Sequence, residues 1–467
     1  MLASILDISI NKIKKGPIIL TKCVQNDDSV ISIFVKNGSS NENQNNNGIS
    51  HFIEHMVFNG SKKFPKNITN EILNKKFSYY SAYTTREYTN FLFKTKNLLE
   101  TISFIFNILR FPRFNTKDIK NEAKTILKEH ESVNSNLIEK KLDFVHKKLF
   151  KNALGYPILG PVSNIKSFSK SQLKKFHLTT YKPENFLICV SSKYTHNQIL
   201  EIIANTFYKS KKSKKFESNI FLDKNIKFDN IVNSIKSIYK DLKKINNEGD
   251  NENNNCEKLK ELYFVEGKEY KEIEENKGIN KAGDSNNEGN IDDKNKFYTD
   301  ESNLKNLNEI KNSKFLKNSE ISKVENEVIN RKRMIIKKND IVGIKIGGYK
   351  NILHLHILIL CKILREKYNL NIFYIPYEKR GILLFFKEDD NLDIKNKIIT
   401  FNELESTKKV FLNDIYSIFN SSKDFFDFFG PEILFKMNLL LYSPHNINYI
   451  NLKQINLFKE KIFEILK

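Results

Sequence analysis

The stretch Gly48-Ile-Ser-His-Phe-Ile-Glu-His-Met-Val-Phe-Asn-Gly60 is the starting point for the whole chain. His51 and His55 stand four residues apart, and apolar residues fill most of the positions around them. In an α-helix, positions i and i+4 lie one turn apart on the same face. Both imidazoles can therefore reach one metal ion at Zn–N distances of about 2.0–2.1 Å. Glu54 lies beside that face, where a carboxylate can accept a proton from water. The order His-x-x-Glu-His is the inverse of the common zincin motif, so the stretch predicts a zinc site with a neighbouring general base.

A catalytic zinc site needs a third protein ligand and one open position. The helical pattern of residues 121–129 offers two carboxylates, Glu122 and Glu129. They are seven residues apart, which is about two helical turns, so both lie on one face. On geometry alone, either one could be the third ligand.

The chain divides into three regions by composition. Residues 1–215 alternate strand-like and helix-like patterns and carry the motif, with one long helical pattern over 116–150. Residues 216–332 include an Asn-, Glu- and Lys-rich stretch almost without hydrophobic periodicity, which predicts a low-complexity, disordered insert or linker. Residues 333–467 return to strand and helix patterns in a loosely similar order. We therefore predict an α+β fold of two related α/β-layered halves, each an antiparallel-rich sheet with helices packed on it.

Bulk properties exclude several classes of function. The net charge is +22, but the lysines are spread along the chain rather than gathered in a nucleic-acid-binding motif, so we expect no nucleic-acid partner. The four cysteines are far apart and form no CxxC pair, which argues against a disulfide framework and fits a reducing interior. No segment approaches the roughly 20 apolar residues of a membrane span.

Several further segments accompany the motif, in the ranges 38–60, 81–87, 126–129, 155–161 and 164–167. Together these segments resemble the pitrilysin-type peptidases, and within that family the β subunits of mitochondrial processing peptidases. The resemblance covers about residues 18–208 in the family's order. Residues 373–385 resemble the family's C-terminal strand pair, whereas the rest of the second half is divergent and lacks a second His-x-x-Glu-His, as expected of an inactive half.

The resemblance implies roles for particular residues. His51, His55 and Glu129 would bind one zinc ion, Glu54 would be the catalytic base, and Glu122 would orient a histidine ligand. The strand that contains Ala82, Tyr83 and Thr84 would pair with an extended substrate, although the position before them is Ser81 where the family usually has Asn. Glu139 and Asp143 would bind an arginine of the substrate, since positions i and i+4 of one helix can face one guanidinium.

The expected function is that of a catalytic β-type processing subunit. It would act with an α-type partner subunit, as a heterodimer, on basic N-terminal presequence peptides. Its location would be the mitochondrial matrix or a reduced mitochondrion-derived organelle. Two alternatives stay open, namely a non-catalytic structural subunit related to respiratory-complex core proteins and a broader peptide-degrading oligopeptidase.

Overall fold

The computed structural model describes residues 7–26, 28–208, 222, 228–247, 335–338, 341–351, 353–386, 397–435 and 442–466.

The first half is built on a six-stranded sheet. Its strands have the spatial order β1-β2-β6-β3-β5-β4, and the pair β2 and β6 is parallel while all others are antiparallel. The bounds are β1 Ile8–Lys12, β2 Ile18–Cys23, β3 Ser29–Val35, β4 Tyr79–Thr84, β5 Thr89–Thr95 and β6 Phe186–Ser192. The central strand β6 is buried along its whole length, in keeping with the five apolar residues at its start.

Nine helices lie in the described residues of the first half and its extension. They are α1 Ile49–Val57, α2 Lys66–Lys76, α3 Leu98–Arg110, α4 Thr116–Ser135, α5 Leu137–Leu149, α6 Val162–Ser167, α7 Lys170–Thr180, α8 His196–Tyr208 and α9 Asp229–Asn247. Helices α1 and α3 bury most of their residues in a core that they share with β3, β5 and β6.

The prediction of a single helix over residues 116–150 is wrong in one respect, because the structure has two helices there. Asn136 leaves the helical conformation with φ −79° and ψ 112°, and its side chain accepts hydrogen bonds from the backbone N–H groups of Ile138 and Glu139. Asparagine favours such capping over a place within a helix, since its side chain competes for backbone donors. The chain therefore leaves the helical conformation at Asn136, where α4 ends and α5 begins.

The second half contains a four-stranded antiparallel sheet of order β7-β8-β10-β9. Its bounds are β7 Ile335–Lys338, β8 Ile341–Gly347, β9 Ile372–Pro376 and β10 Arg380–Phe386. The accompanying helices are α10 His354–Tyr368, α11 Phe401–Ile418, α12 Ser422–Leu434, α13 Pro444–Asn448 and α14 Leu452–Leu466. Sequence reasoning missed β8, α12 and α13.

The two halves share packing. Helix α5 buries Leu142, Val145 and Leu149 against the second sheet, in one cluster with Ile382 and Leu384. In the other direction, α12 packs on β3 and β6 of the first sheet. A Cβ at Gly430 of α12 would lie 2.4 Å from the ring of Phe34, so this close approach requires glycine. Each half thus contributes a helix to the other half's sheet.

The predicted fold class is confirmed: the structure is an α+β arrangement of antiparallel-rich sheets with packed helices. The predicted insert is not uniform, however. Its residues 229–247 form α9, which packs against β1 and α11, because isoleucines at helical spacing supply a buried face. The predicted disorder of 248–332 lies outside the described residues. Among the described helices, none is both long enough and apolar enough to cross a membrane.

The contact between α5 and β8 generates a testable prediction. A Cβ at Gly343 would lie 2.3 Å from Cγ1 of Val145, which is fully buried on α5. Valine in a helix has essentially one rotamer, so Val145 cannot turn away. We expect Gly343→Ala to lower the free energy of unfolding by about 1–3 kcal/mol, the usual cost of overpacking.

Urea unfolding of Gly343→Ala, Val145→Ala and the double variant measures this contact. The double variant should lose less free energy of unfolding than the two single variants lose together, since alanine at 145 removes the clashing methyl group. Simple additivity of the two losses would show that the contact does not exist.

Candidate metal and catalytic site

Helix α1 presents the motif residues beside the sheet. It begins after Gly48, whose φ of 96° lies in the left-handed region. One face of the helix is buried through its apolar residues, namely Ile49, Phe52, Ile53, Met56 and Val57. This burial leaves His51 and His55 together on the opposite face, with ring centroids 4.7 Å apart.

Helix α4 brings the carboxylates of Glu122 and Glu129 to different sides of this pair. Oε1 of Glu129 lies 3.3 Å from Nε2 of His51, and Oε2 of Glu129 lies 3.4 Å from Nε2 of His55. Glu122, two turns earlier, contacts the other ring nitrogen of His55, with 3.2 Å between Oε2 and Nδ1. The sequence alone left the two carboxylates equivalent, whereas the structure places them differently.

The donor set fits a tetrahedral zinc ion. Candidate ligand atoms of His51, His55 and Glu129 all lie within 4.8 Å of one another. Ligand bonds of about 2.0–2.1 Å in a tetrahedron put neighbouring ligand atoms about 3.3–3.4 Å apart. The two measured nitrogen–oxygen distances, 3.3 and 3.4 Å, agree with that edge length. Three protein ligands of this kind leave a fourth position for water or substrate.

The electrostatics of the cluster favour a cation. Burial alone would lower the pKa of His55, but the carboxylates of Glu122 and Glu129 outweigh it and raise the pKa to about 10. Burial alone would raise the pKa of Glu129, yet the two histidines hold it well below its ordinary value. The pKa of Glu122 is also lowered, because His55 outweighs the effect of burial. The group therefore attracts positive charge, which a metal ion can supply.

Glu54 is held at the junction of α1 and β4. It is buried, and its Oε2 accepts a hydrogen bond of 2.6 Å from the Oγ1 of Thr84. One firm hydrogen bond orients the carboxylate and leaves further lone pairs for a water molecule. Thr84, predicted to contact substrate, thus also contacts the predicted base.

Strand β4 lies at the end of the first sheet. It pairs with β5 alone among the described strands, so its other edge is available to an extended peptide. Ala82 is half-buried, whereas Tyr83 and Thr84 are buried. All three lie in the part of β4 nearest Glu54, where the sequence predicts substrate pairing.

The acidic pair of α5 is not symmetrical. Asp143 Oδ1 accepts a hydrogen bond of 2.9 Å from Nη2 of Arg86, which is fully buried and also donates to the carbonyl of Leu154. Glu139 is half-buried. Burial raises its pKa, the Asp143 carboxylate adds to the rise, and Arg86 opposes it. Within the predicted pair, Asp143 therefore already binds an internal arginine. The ionised form of Glu139 is destabilised by burial and by Asp143.

Sequence reasoning missed Arg86, and it also missed Glu42. The Glu42 side chain is buried before α1 and accepts hydrogen bonds from the backbone N–H groups of Gly48 and Ser50. Burial raises the pKa of Glu42 to about 7, although these donors and the side chain of Asn47 oppose the rise. The sequence signal for Glu42 was the glycine at the start of the motif helix. Glycine has no side chain with which to cap a helix, so another residue has to accept hydrogen bonds from the first backbone N–H groups.

Comparison with known proteins extends these findings. Residues 18–162 match the family model described as Insulinase (Peptidase family M16), and residues 167–256 match the one described as Peptidase M16 inactive domain. The mitochondrial-processing peptidase β subunit of Dictyostelium discoideum is 32% identical over 213 residues, 44% of this chain and 45% of that protein. The human β subunit is 32% identical over 175 residues, 37% of this chain and 36% of that protein.

A respiratory protein is also among the relatives. The ubiquinol-cytochrome-c reductase complex core protein I of Euglena gracilis is 29% identical over 201 residues, 42% of this chain and 41% of that protein. The matches span less than half the length of each of these curated relatives. They confirm the resemblance to pitrilysin-type peptidases, and to processing-peptidase β subunits in particular.

Among solved structures, a protease from Helicobacter pylori shares the fold with a TM-score of 0.64 at 13% identity, over 98% of this chain and 96% of that one.

The asymmetry of the acidic pair predicts unequal effects on stability. Asp143→Ala leaves the buried Arg86 guanidinium without this acceptor, so the free energy of unfolding should fall by about 1–3 kcal/mol. This is less than for a fully buried pair, because the Asp143 side chain is 40% exposed. Glu139→Ala should cost less than about 1 kcal/mol, since it relieves a like-charge contact. Urea unfolding of both variants measures the difference, and equal losses would contradict the observed pairing.

Proposed function

Since the chain belongs to the M16 peptidase family, we propose that it is a zinc metalloendopeptidase of the β type that removes basic N-terminal presequences. The observation that carries the proposal is the complete set of His51, His55, Glu129 and Glu54 on two facing helices. A chain that had lost catalysis would be expected to lose a ligand or the base.

In this proposal His51, His55 and Glu129 hold one zinc ion. When bound, zinc supplies Lewis acidity, which makes water more acidic and a peptide carbonyl more electrophilic. Glu122 would accept a hydrogen bond from the Nδ1–H of His55 and so direct Nε2 of that ring toward the ion. Glu54 accepts a proton from the attacking water and passes it to the nitrogen of the leaving amine.

The substrate would bind as an added strand on β4. Main-chain hydrogen bonds from residues 82–84 would fix the direction of the peptide and bring its scissile bond beside Glu54, which Thr84 holds at that end of β4. Such binding depends little on side chains, so it suits substrates of varied sequence.

Preference for basic peptides would come from α5. Glu139 is half-buried beside Asp143, and its raised pKa shows that a nearby positive charge would be favourable. An arginine of the substrate can supply that charge, with Asp143 shared between this guanidinium and Arg86. The partner would be an α-type subunit, and the site of action the mitochondrial matrix or a reduced mitochondrion-derived organelle.

A second candidate is a structural subunit without activity. It is favoured by the similarity to core protein I of a respiratory complex. A peptide-degrading oligopeptidase is the third candidate. These two differ from the main proposal in what they predict for cleavage, by the chain alone and with a partner.

The catalytic proposal predicts the result of Glu54→Gln. The variant keeps the hydrogen bond to Thr84 but cannot accept a proton from water, so cleavage should fall by about 10²–10⁴-fold while zinc content stays unchanged. The measurement is cleavage of an arginine-containing presequence peptide by the purified chain, alone and with an α-type subunit, with metal assayed on the same samples. A peptide with that arginine replaced by alanine is the matched substrate control.

The outcomes separate the three candidates. One cut that needs the partner, the arginine and Glu54 supports the processing peptidase. Zinc without cleavage under any condition supports the structural subunit, and many cuts by the chain alone support the oligopeptidase.

Glu122 and Glu129 of α4 should differ in their effect on zinc. Glu129→Gln removes a charged ligand that faces both histidines and should abolish tight binding. Glu122→Gln leaves the three ligands in place and should weaken binding by about 10–100-fold. Competition with a chromophoric chelator measures both constants, and a larger effect of Glu122→Gln would reverse the two assignments.

A further inference from the structure

We propose that Glu42 is a positioning residue for His51, acting through the first turn of α1. The inference rests on the proposed zinc site and adds to it a residue that contacts neither the metal nor the substrate. It follows from three observations: the hydrogen bonds of the Glu42 carboxylate, a buried Nδ1 of His51 without a hydrogen bond among the described residues, and the anchoring of the loop between Glu42 and His51.

The Glu42 carboxylate is bound on both oxygens. Oε2 accepts from the backbone N–H of Gly48 at 2.7 Å and from Nδ2 of Asn47 at 2.8 Å. Oε1 accepts from the backbone N–H of Ser50 at 2.8 Å. Gly48 and Ser50 are the cap and second residue of α1, and the next residue is His51. A buried anion at this end also interacts favourably with the helix dipole.

The two histidines are supported in different ways. Nδ1 of His55 has a partner in Glu122 at 3.2 Å, the usual means of fixing a ligating imidazole. Nδ1 of His51 is buried and, among the described residues, has no hydrogen-bond partner. Apart from the contact of its Nε2 with Glu129, His51 therefore depends on its backbone and its packing for orientation.

The backbone before His51 is anchored to a distant loop. Nδ2 of Asn47 donates to the carbonyl of Pro157, and Nδ2 of Asn164 donates to the carbonyl of Asn47. A Cβ at Gly48 would lie 2.5 Å from the carbonyl oxygen of Leu159, so the two segments touch at their backbones. Glu42 joins this anchored loop to the first turn of the helix, and a shift there moves His51 relative to Glu129.

Glu42→Gln tests the role with little change of shape. In the unaltered chain both carboxylate oxygens of Glu42 accept hydrogen bonds from N–H donors. The NH2 group of glutamine cannot accept, so it replaces one of these oxygens with a second donor, and hydrogen bonds at the helix start are lost. We expect zinc affinity to fall by about 10–100-fold, the range for supporting residues of metal sites. The matched control is Glu403→Gln, because Glu403 also accepts a backbone N–H at a helix start, that of Thr400, in the other half of the chain. The control should leave zinc affinity unchanged.

Zinc dissociation constants come from chelator competition, and the absorption bands of the Co²⁺-loaded chain report the ligand geometry. The decisive readout is a double-variant cycle. If Glu42 acts through His51, adding Glu42→Gln to His51→Ala should lower zinc affinity little further. Adding it to His55→Ala should lower zinc affinity by the same factor as in the unaltered chain.

Three results would overturn the inference. Unchanged zinc affinity in Glu42→Gln with lowered thermal stability would reduce Glu42 to a structural cap. Equal losses in both histidine backgrounds would exclude a route through His51. Failure of the unaltered chain to bind zinc would instead reject the zinc site itself, and this inference with it. Should Glu42→Gln not fold, Glu42→Asp carries the same expectations, because its shorter side chain cannot span both backbone donors.

Discussion

The docking of α4 against α1 is the constraint on which the site depends. A single carboxylate, Glu129, faces Nε2 of both His51 and His55 at 3.3 and 3.4 Å. Each of these groups would be costly to bury alone, and together they stabilise one another's charged forms. The two helices come from separate parts of the chain, and they pack directly against one another. The fold therefore serves to bring these ligand atoms within 4.8 Å of one another.

The parts of the site that the sequence predicted are local. His51, Glu54 and His55 lie within five residues, and helical periodicity alone puts the two histidines on one face. The choice between Glu122 and Glu129 was beyond the residue pattern, because it depends on how far α4 slides along α1. Likewise, nothing local marks Arg86 as the partner of Asp143, 57 positions away. Contacts set by tertiary packing do not appear in a local pattern.

The errors in secondary structure have the same origin. Asn136 broke a pattern that looked continuous, because its capping bonds outweigh the helical periodicity on either side. Helix α9 lies in a region whose average composition predicts disorder, yet its isoleucines find a buried surface against β1 and α11. Composition averaged over a long segment conceals one amphipathic helix within it.

Net charge and local charge have opposite signs at this site. The chain carries +22, which by itself would repel a basic peptide. Surface charges are screened beyond about 8 Å at physiological ionic strength, however, so distant lysines count for little at the site itself. The acidic groups there are at least partly buried, where screening is weaker, and Glu139 is held next to Asp143. In the proposed function, recognition of a basic substrate would thus be decided by Glu139 and Asp143 of α5, and the positive surface would have little effect on it.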